Sequence, residues 1–239
     1  IFKDEPFQTL RVKGDWTGSV KNLADYSNSL HPSTEALYRI ADYYADLARY
    51  ATSTQQRQWA ISQTVDTLNQ ADALYPVEVA ENQDGEYPYM IEMRRYLWGS
   101  YLYGELSQFN ASYLQKSQDL SNQMFKLYET TVDKNGNKNA LIAARVPDVY
   151  VNYAMYEYTV KGASSLPDVR AHLDSLIALV NEHPSWHRGA FFAALEKLAK
   201  DAKTGRKSDT YKEYVKLGNL HDPFKKLLLA HGWTDADFK

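Results

Sequence analysis

The chain has no cysteine. That excludes a disulfide framework, thiolate zinc sites and a cysteine nucleophile, so its 239 residues must hold together by packing. Glycine and proline are sparse, at 11 and 8, which leaves little material for tight turns. No apolar run approaches the roughly 18 residues of a membrane-spanning helix. Neither sign of charge dominates. Against 27 basic residues stand 30 acidic ones, net −3, so there is no broad positive field for nucleic acid or an anionic membrane. No Walker loop, Gly-x-Gly-x-x-Gly, Gly-x-Ser-x-Gly elbow or His-Glu-x-x-His occurs. With them go the sequence signs of phosphate-binding, dinucleotide, serine-hydrolase and zinc-peptidase chemistry. No alternating strand pattern runs beyond four or five residues.

What remains is helical periodicity. Over 33–51, Leu37, Ile40, Ala41, Tyr44, Leu47, Ala48 and Ala51 follow the i, i+3, i+4, i+7 rule. Pro32 and Ser33 introduce that stripe and Glu35 lies in its first turn. A second stripe, Ile61, Val65, Leu68 and Leu74, predicts a helix over 54–75 ended by Pro76. Residues 76–88 read as a loop with Asp84-Gly85 in it. The helix expected over 89–107 is apolar nearly all round, as in a helix buried between neighbours. Further helices are expected over 111–130 and after Asn139, the latter broken or kinked at Pro147. Ser165-Leu-Pro-Asp168 reads as a capping box, and Asp222-Pro223 as a cap followed by proline. Shorter helices are expected over 186–202 and 208–217.

The expected fold is all-α: antiparallel helix pairs stacked as a superhelix of the HEAT or TPR general type, with a compact bundle as the alternative. No composition shift marks a boundary. The chain therefore reads as one domain, 1–239, with a hinge at 76–88. The absence of cysteine suits an exported protein, secreted or periplasmic, and suits a cytosolic one as well. Charge is uneven: residues 40–92 carry 2 basic and 9 acidic side chains, and residues 193–239 carry 10 basic and 7 acidic.

Two patterns invite a metal and then decline it. His183 and His187 are four apart, but Pro184 between them breaks the helix that would align them. Asp133, Asn135 and Asn137 suggest a calcium loop, yet Gly136 is fourth rather than sixth and the twelfth residue is Ala144. No metal and no cofactor is expected. Asn110-Ala-Ser112 fits a glycosylation acceptor, a pattern common by chance.

The compositional oddity is aromatic. Tyrosine is the most frequent ring, 19 against 5 Trp and 8 Phe. The densest run, Tyr87 to Tyr103, has Arg94 and Arg95 inside it; a second holds Tyr150, Tyr153, Tyr156 and Tyr158. Tyr, Trp and Arg make binding surfaces because they offer large rigid area with a polar tip. They also fill ordinary helix contacts. The candidate ligand-binding residues are Tyr89, Arg94, Arg95, Trp98, Tyr101 and Tyr103.

The layout resembles the N-terminal activator domain of bacterial M9 collagenases. The likeness rests on Leu23–Ser27, on the aromatic helix Met93–Leu106, and on the Trp-containing segment Trp186–Lys197, with Arg95, Gly99, Tyr101 and Tyr103 as loose counterparts of that family's residues. It implies an all-helical, HEAT-like module that helps grip collagen beside a separate zinc peptidase domain. That domain's motif is absent here, so the resemblance implies a chain without catalysis of its own. The leading expectation is thus a binding module that holds an extended protein or peptide on a Tyr-rich concave face. An exported helical scaffold, and an all-helical lyase or hydrolase acting on glycan, are the alternatives.

Overall fold

A computed structural model describes residues 7, 9–11, 13–82, 87–132 and 135–239, without the side chains of 87, 88 and 189. The protein is all-α. Helices pack in pairs, and among the described residues the one β feature is an isolated bridge between Val132 and Lys138. No described helix is long and apolar enough to cross a membrane. The chain forms two compact units, residues 1–106 and 107–239.

The first unit holds α1 (Trp16–Ser29), α2 (Thr34–Tyr50), α3 (Thr54–Glu81) and α4 (Tyr87–Ser107). Polar side chains start the first three. Asp15 accepts from the Gly18 N–H, Ser33 from Ala36 and Ser53 from Gln56, at 2.8, 3.1 and 3.2 Å, each meeting a donor the helix itself leaves bare. A three-residue link turns α2 back along α3, and small buried residues (Ala41, Ala45, Ala48, Ala60, Ala71) line the two helices. α1 docks on this pair through Leu23, which joins Ile40, Leu47, Ala48 and Ala60 in a buried cluster. Trp16 meets the edge of Trp59 at 5.8 Å.

Two expectations about this unit need correction. α1 was not expected as a helix. Its sequence is polar apart from a narrow face, so docking rather than propensity holds it. Pro76 does not end a helix: α3 runs through it to Glu81, so 76–81 and 87–88 are helical, and 83–86 lie outside the described residues. Proline at 76 removes one backbone donor from α3. Two residues on, Glu78 accepts from the Thr34 backbone N–H at 2.7 Å and from its hydroxyl at 2.6 Å. Those bonds require α3 to persist past the proline, and they offset part of its cost.

The second unit holds α5 (Tyr113–Thr130), α6 (Ala140–Ala143), α7 (Val146–Lys161), α8 (Leu166–Glu182), α9 (Pro184–His187), α10 (Ala193–Lys203), α11 (Asp209–Leu220) and α12 (Asp222–Ala230). Of the break or kink expected at Pro147, a break is present: the chain leaves α6 at Ala143 and re-enters a helix at Val146, with Pro147 in the first turn of α7. α7 and α8 pair through Val149, Ala154, Val169, Leu173 and Leu176, all fully buried. Gly162, at φ +64°, takes the left-handed turn between them. The expected capping box at Ser165 does not form. That serine closes a 3-10 turn, and its hydroxyl donates to the Gly162 carbonyl at 2.8 Å instead. Likewise His221, not Asp222, occupies the cap position of α12. Trp233 lies flat on Tyr211, ring centres 4.8 Å apart, and donates to the Leu195 carbonyl.

Candidate functional site

The six candidate residues lie on α4, and most are engaged within the first unit. Arg95 donates to Asp72 on α3 at 2.9 Å and places its guanidinium 4.7 Å above the Tyr75 ring. Arg94 pairs with Glu35 of α2 at 3.2 Å. Tyr103 is 3% exposed and offers no ring to a ligand. Trp98 and Tyr101 are half-buried and meet edge to face at 6.3 Å. The Tyr101 hydroxyl is bonded to Arg49, and burial, reinforced by Asp42, holds it far above the usual phenol range. Arg49 in turn pairs with the buried Glu105 and with Asp46, which also takes Arg11. Tyr89 is half-buried. The helix is a hub of internal ion pairs more than a free aromatic strip.

The second tyrosine run is engaged too. Tyr150 stacks on Phe125 at 4.1 Å, and the Tyr153 ring meets His172 at a tilt, centres 4.0 Å apart. Tyr156 is buried, and Tyr158 lies under Lys216. Burial lowers the His172 pKa from its usual value. His183 lies on the Trp186 ring at 3.7 Å, while His187 is wholly buried. Among the described residues no group of three or more His, Cys, Asp or Glu is placed to hold a metal. Asp133 of the calcium-like run lies outside the described residues. Asn139 caps α6 by accepting from Leu141 and Ile142.

Among the described residues, a feature open to a ligand lies elsewhere in the first unit. A groove of about 470 Å³ runs between the end of α1, the start of α2 and the second half of α3. Leu30 and Pro32 close one side. Ala36, Leu37 and Ile40 form one wall, and Ala73, Leu74 and Val77 the other. Ser27, His31 and Gln70 supply the polar lining. Val77, 48% exposed, stands at its lip.

Sequence reasoning missed this groove, although a sign of it was present. The segments Ala36-Leu-Tyr-Arg-Ile40 and Ala73-Leu-Tyr-Pro-Val77 share one pattern. In each, the Ala, the Leu and the β-branched residue line the groove. The third residue of each, Tyr38 or Tyr75, serves the other side, around Arg95 and Asp72. On an antiparallel pair the two copies face one cleft, with an alanine in each wall that keeps it open.

No family model, no curated protein and no solved structure matches this chain.

Proposed function

We propose that this chain is a helical binding module that takes a segment of another polypeptide into the groove of its first unit. The observation that carries the reading is the groove itself: two apolar helix walls, open to solvent, with Val77 about half exposed. Apolar surface left in water costs about 25 cal/mol per Å². Apolar grooves between helices are a recurrent seat for peptide segments, whose side chains fill them while polar rims set orientation. Paired helices support the same reading, since stacked pairs commonly present such a groove to a polypeptide. The resemblance to collagenase activator modules points to a protein ligand as well. Of the six residues first suspected, the arginines act from behind, joining α4 to the two helices that form the walls.

Peptide-display selection on the immobilised chain tests this, with the Val77→Asp variant as counter-target. Val77 is exposed, so the substitution leaves the fold intact by circular dichroism. The reading predicts enriched peptides that bind the wild type near micromolar Kd, about −8 kcal/mol, and the variant at least tenfold more weakly. A selection that yields no peptide preferring the wild type over the variant overturns it.

A further inference from the structure

Charge along α3 is sorted by face. Asp72 is paired with Arg95, and Glu78 is bonded to Thr34. Its single basic residue, Arg57, donates to the Ala48 and Ala51 carbonyls at the end of α2. Two acids remain, Asp66 and Glu81. Both are exposed and neither has an ion-pair partner among the described residues; Asp66 has only a 3.5 Å contact with the Ser62 hydroxyl. At 3.6 residues per turn both fall within about 40° of Gln70, on the face that lines the groove. One lies a turn before Gln70 and the other a turn beyond Val77. They are about 22 Å apart along the axis at 1.5 Å per residue.

From this we infer that the groove's partner is a short amphipathic helix with a two-turn apolar ridge and basic residues flanking it. The inference rests on the polypeptide-binding reading and adds the shape and charge of the ligand. The length follows from the walls: Gln70 to Val77 spans about 10 Å, two helical turns. The charge follows from two uncommitted carboxylates at the ends of an apolar strip whose lining, among the described residues, holds no lysine or arginine. The helical form follows from α1, which already lies as a helix against the same pair through Leu23. A partner helix presenting residues i, i+3, i+4 and i+7 extends that packing where α1 ends. Ala36 and Ala73 leave room for its side chains.

Three labelled peptides and two variants of the full chain test it. One peptide is an 18-residue Leu/Lys amphipathic helix, one its Leu/Glu counterpart, and one a lysine-containing proline-rich peptide that stays extended. Fluorescence anisotropy reads binding to the wild type, to Asp66→Lys/Glu81→Lys and to Val77→Asp. The inference predicts that the Leu/Lys helix binds at least tenfold more tightly than the Leu/Glu helix. It further predicts about a tenfold loss in the charge-reversed variant, and weakening as salt rises. Equal binding of the two helices, or no change on charge reversal, overturns it. If the proline-rich peptide alone binds in a Val77-dependent way, the helical ligand is wrong and the polypeptide reading stands. If none of the three depends on Val77, both fall.

Discussion

Tyr38 and Tyr75 occupy the same position in two copies of one five-residue pattern, on facing helices, and both rings lie close to Arg95. Their hydroxyls fare differently. Tyr75 donates to Glu92 at 3.1 Å, while the buried Tyr38 hydroxyl has no hydrogen-bond partner among the described residues. Burial raises both phenols, Tyr75 to about 12. The same residue type thus makes opposite contributions in the two copies.

Tyr38→Phe therefore removes an unsatisfied buried group and stabilises the protein by about 1 kcal/mol. Tyr75→Phe removes a satisfied one and costs about 0.5–1 kcal/mol. Urea unfolding of the two variants decides it. Destabilisation by Tyr38→Phe would mean that its hydroxyl has a partner in solution.

Glu78 holds the first turn of α2 from another helix. Glu78→Ala strands the Thr34 backbone N–H and hydroxyl, on a residue only 1% exposed, at a cost of about 1–3 kcal/mol. Glu78→Gln keeps an acceptor and loses less. Equal stability of the Ala variant and wild type in urea melts would show that water replaces the carboxylate without penalty.

Asp148, at the start of α7, is a carboxyl that burial pushes up to about 6, against a smaller opposing pull from Arg145. The folded form keeps its proton where the unfolded chain, near 3.8, has lost it. Stability from this group thus falls as pH rises from about 4 to 6 and is flat above. Asp148→Asn removes that decline. At pH 7 the variant should gain up to about 3 kcal/mol, at roughly 1.4 kcal/mol per pKa unit, with the gain gone by pH 4. A gain independent of pH would contradict the assignment.

His187 titrates in the opposite sense. Its ring is fully buried and neither nitrogen has a partner among the described residues. Burial, reinforced by His183, lowers its pKa below the ordinary 6.5. The unfolded chain takes up the proton first, so stability is complete above about 6.5 and drains away as pH falls below it. Replacing the ring by His187→Leu should flatten that loss. Asp148 and His187 oppose each other just below about pH 6, so each is read as a difference between wild type and its own variant. A wild-type-minus-Leu curve without slope below pH 6.5 would contradict the account.

The helices were legible where chemistry at their ends is local. Ser33 caps α2 where the apolar stripe predicts its start, and the chain breaks just before Pro147. The sequence misled where tertiary partners outweigh local preference. α1 is held by the docking of Leu23, α3 outlasts Pro76 because Thr34 waits for Glu78, and Ser165 spends its hydroxyl inside a turn. The site was less legible for a related reason. Tyr, Trp and Arg were singled out for their chemistry, but Arg95 and Arg94 are engaged by Asp72 and Glu35, whose proximity only the fold reveals. The groove is made of Ala, Leu, Ile and Val, which a sequence reader assigns to the core. Which of them stays bare depends on where α1 stops. The doubled Ala-Leu-Tyr pattern was the one sign available beforehand.

The absence of cysteine allows a direct test of the central claim, that the groove of the first unit receives a polypeptide. A single cysteine at Val77 is labelled with an environment-sensitive fluorophore, and a second protein carries the same label at Leu141, which is 51% exposed in the other unit. Both are titrated with the three peptides described above. The account predicts a saturable emission change from the Val77 label and none from the Leu141 label. A response at Leu141 alone, or at neither position, would contradict it.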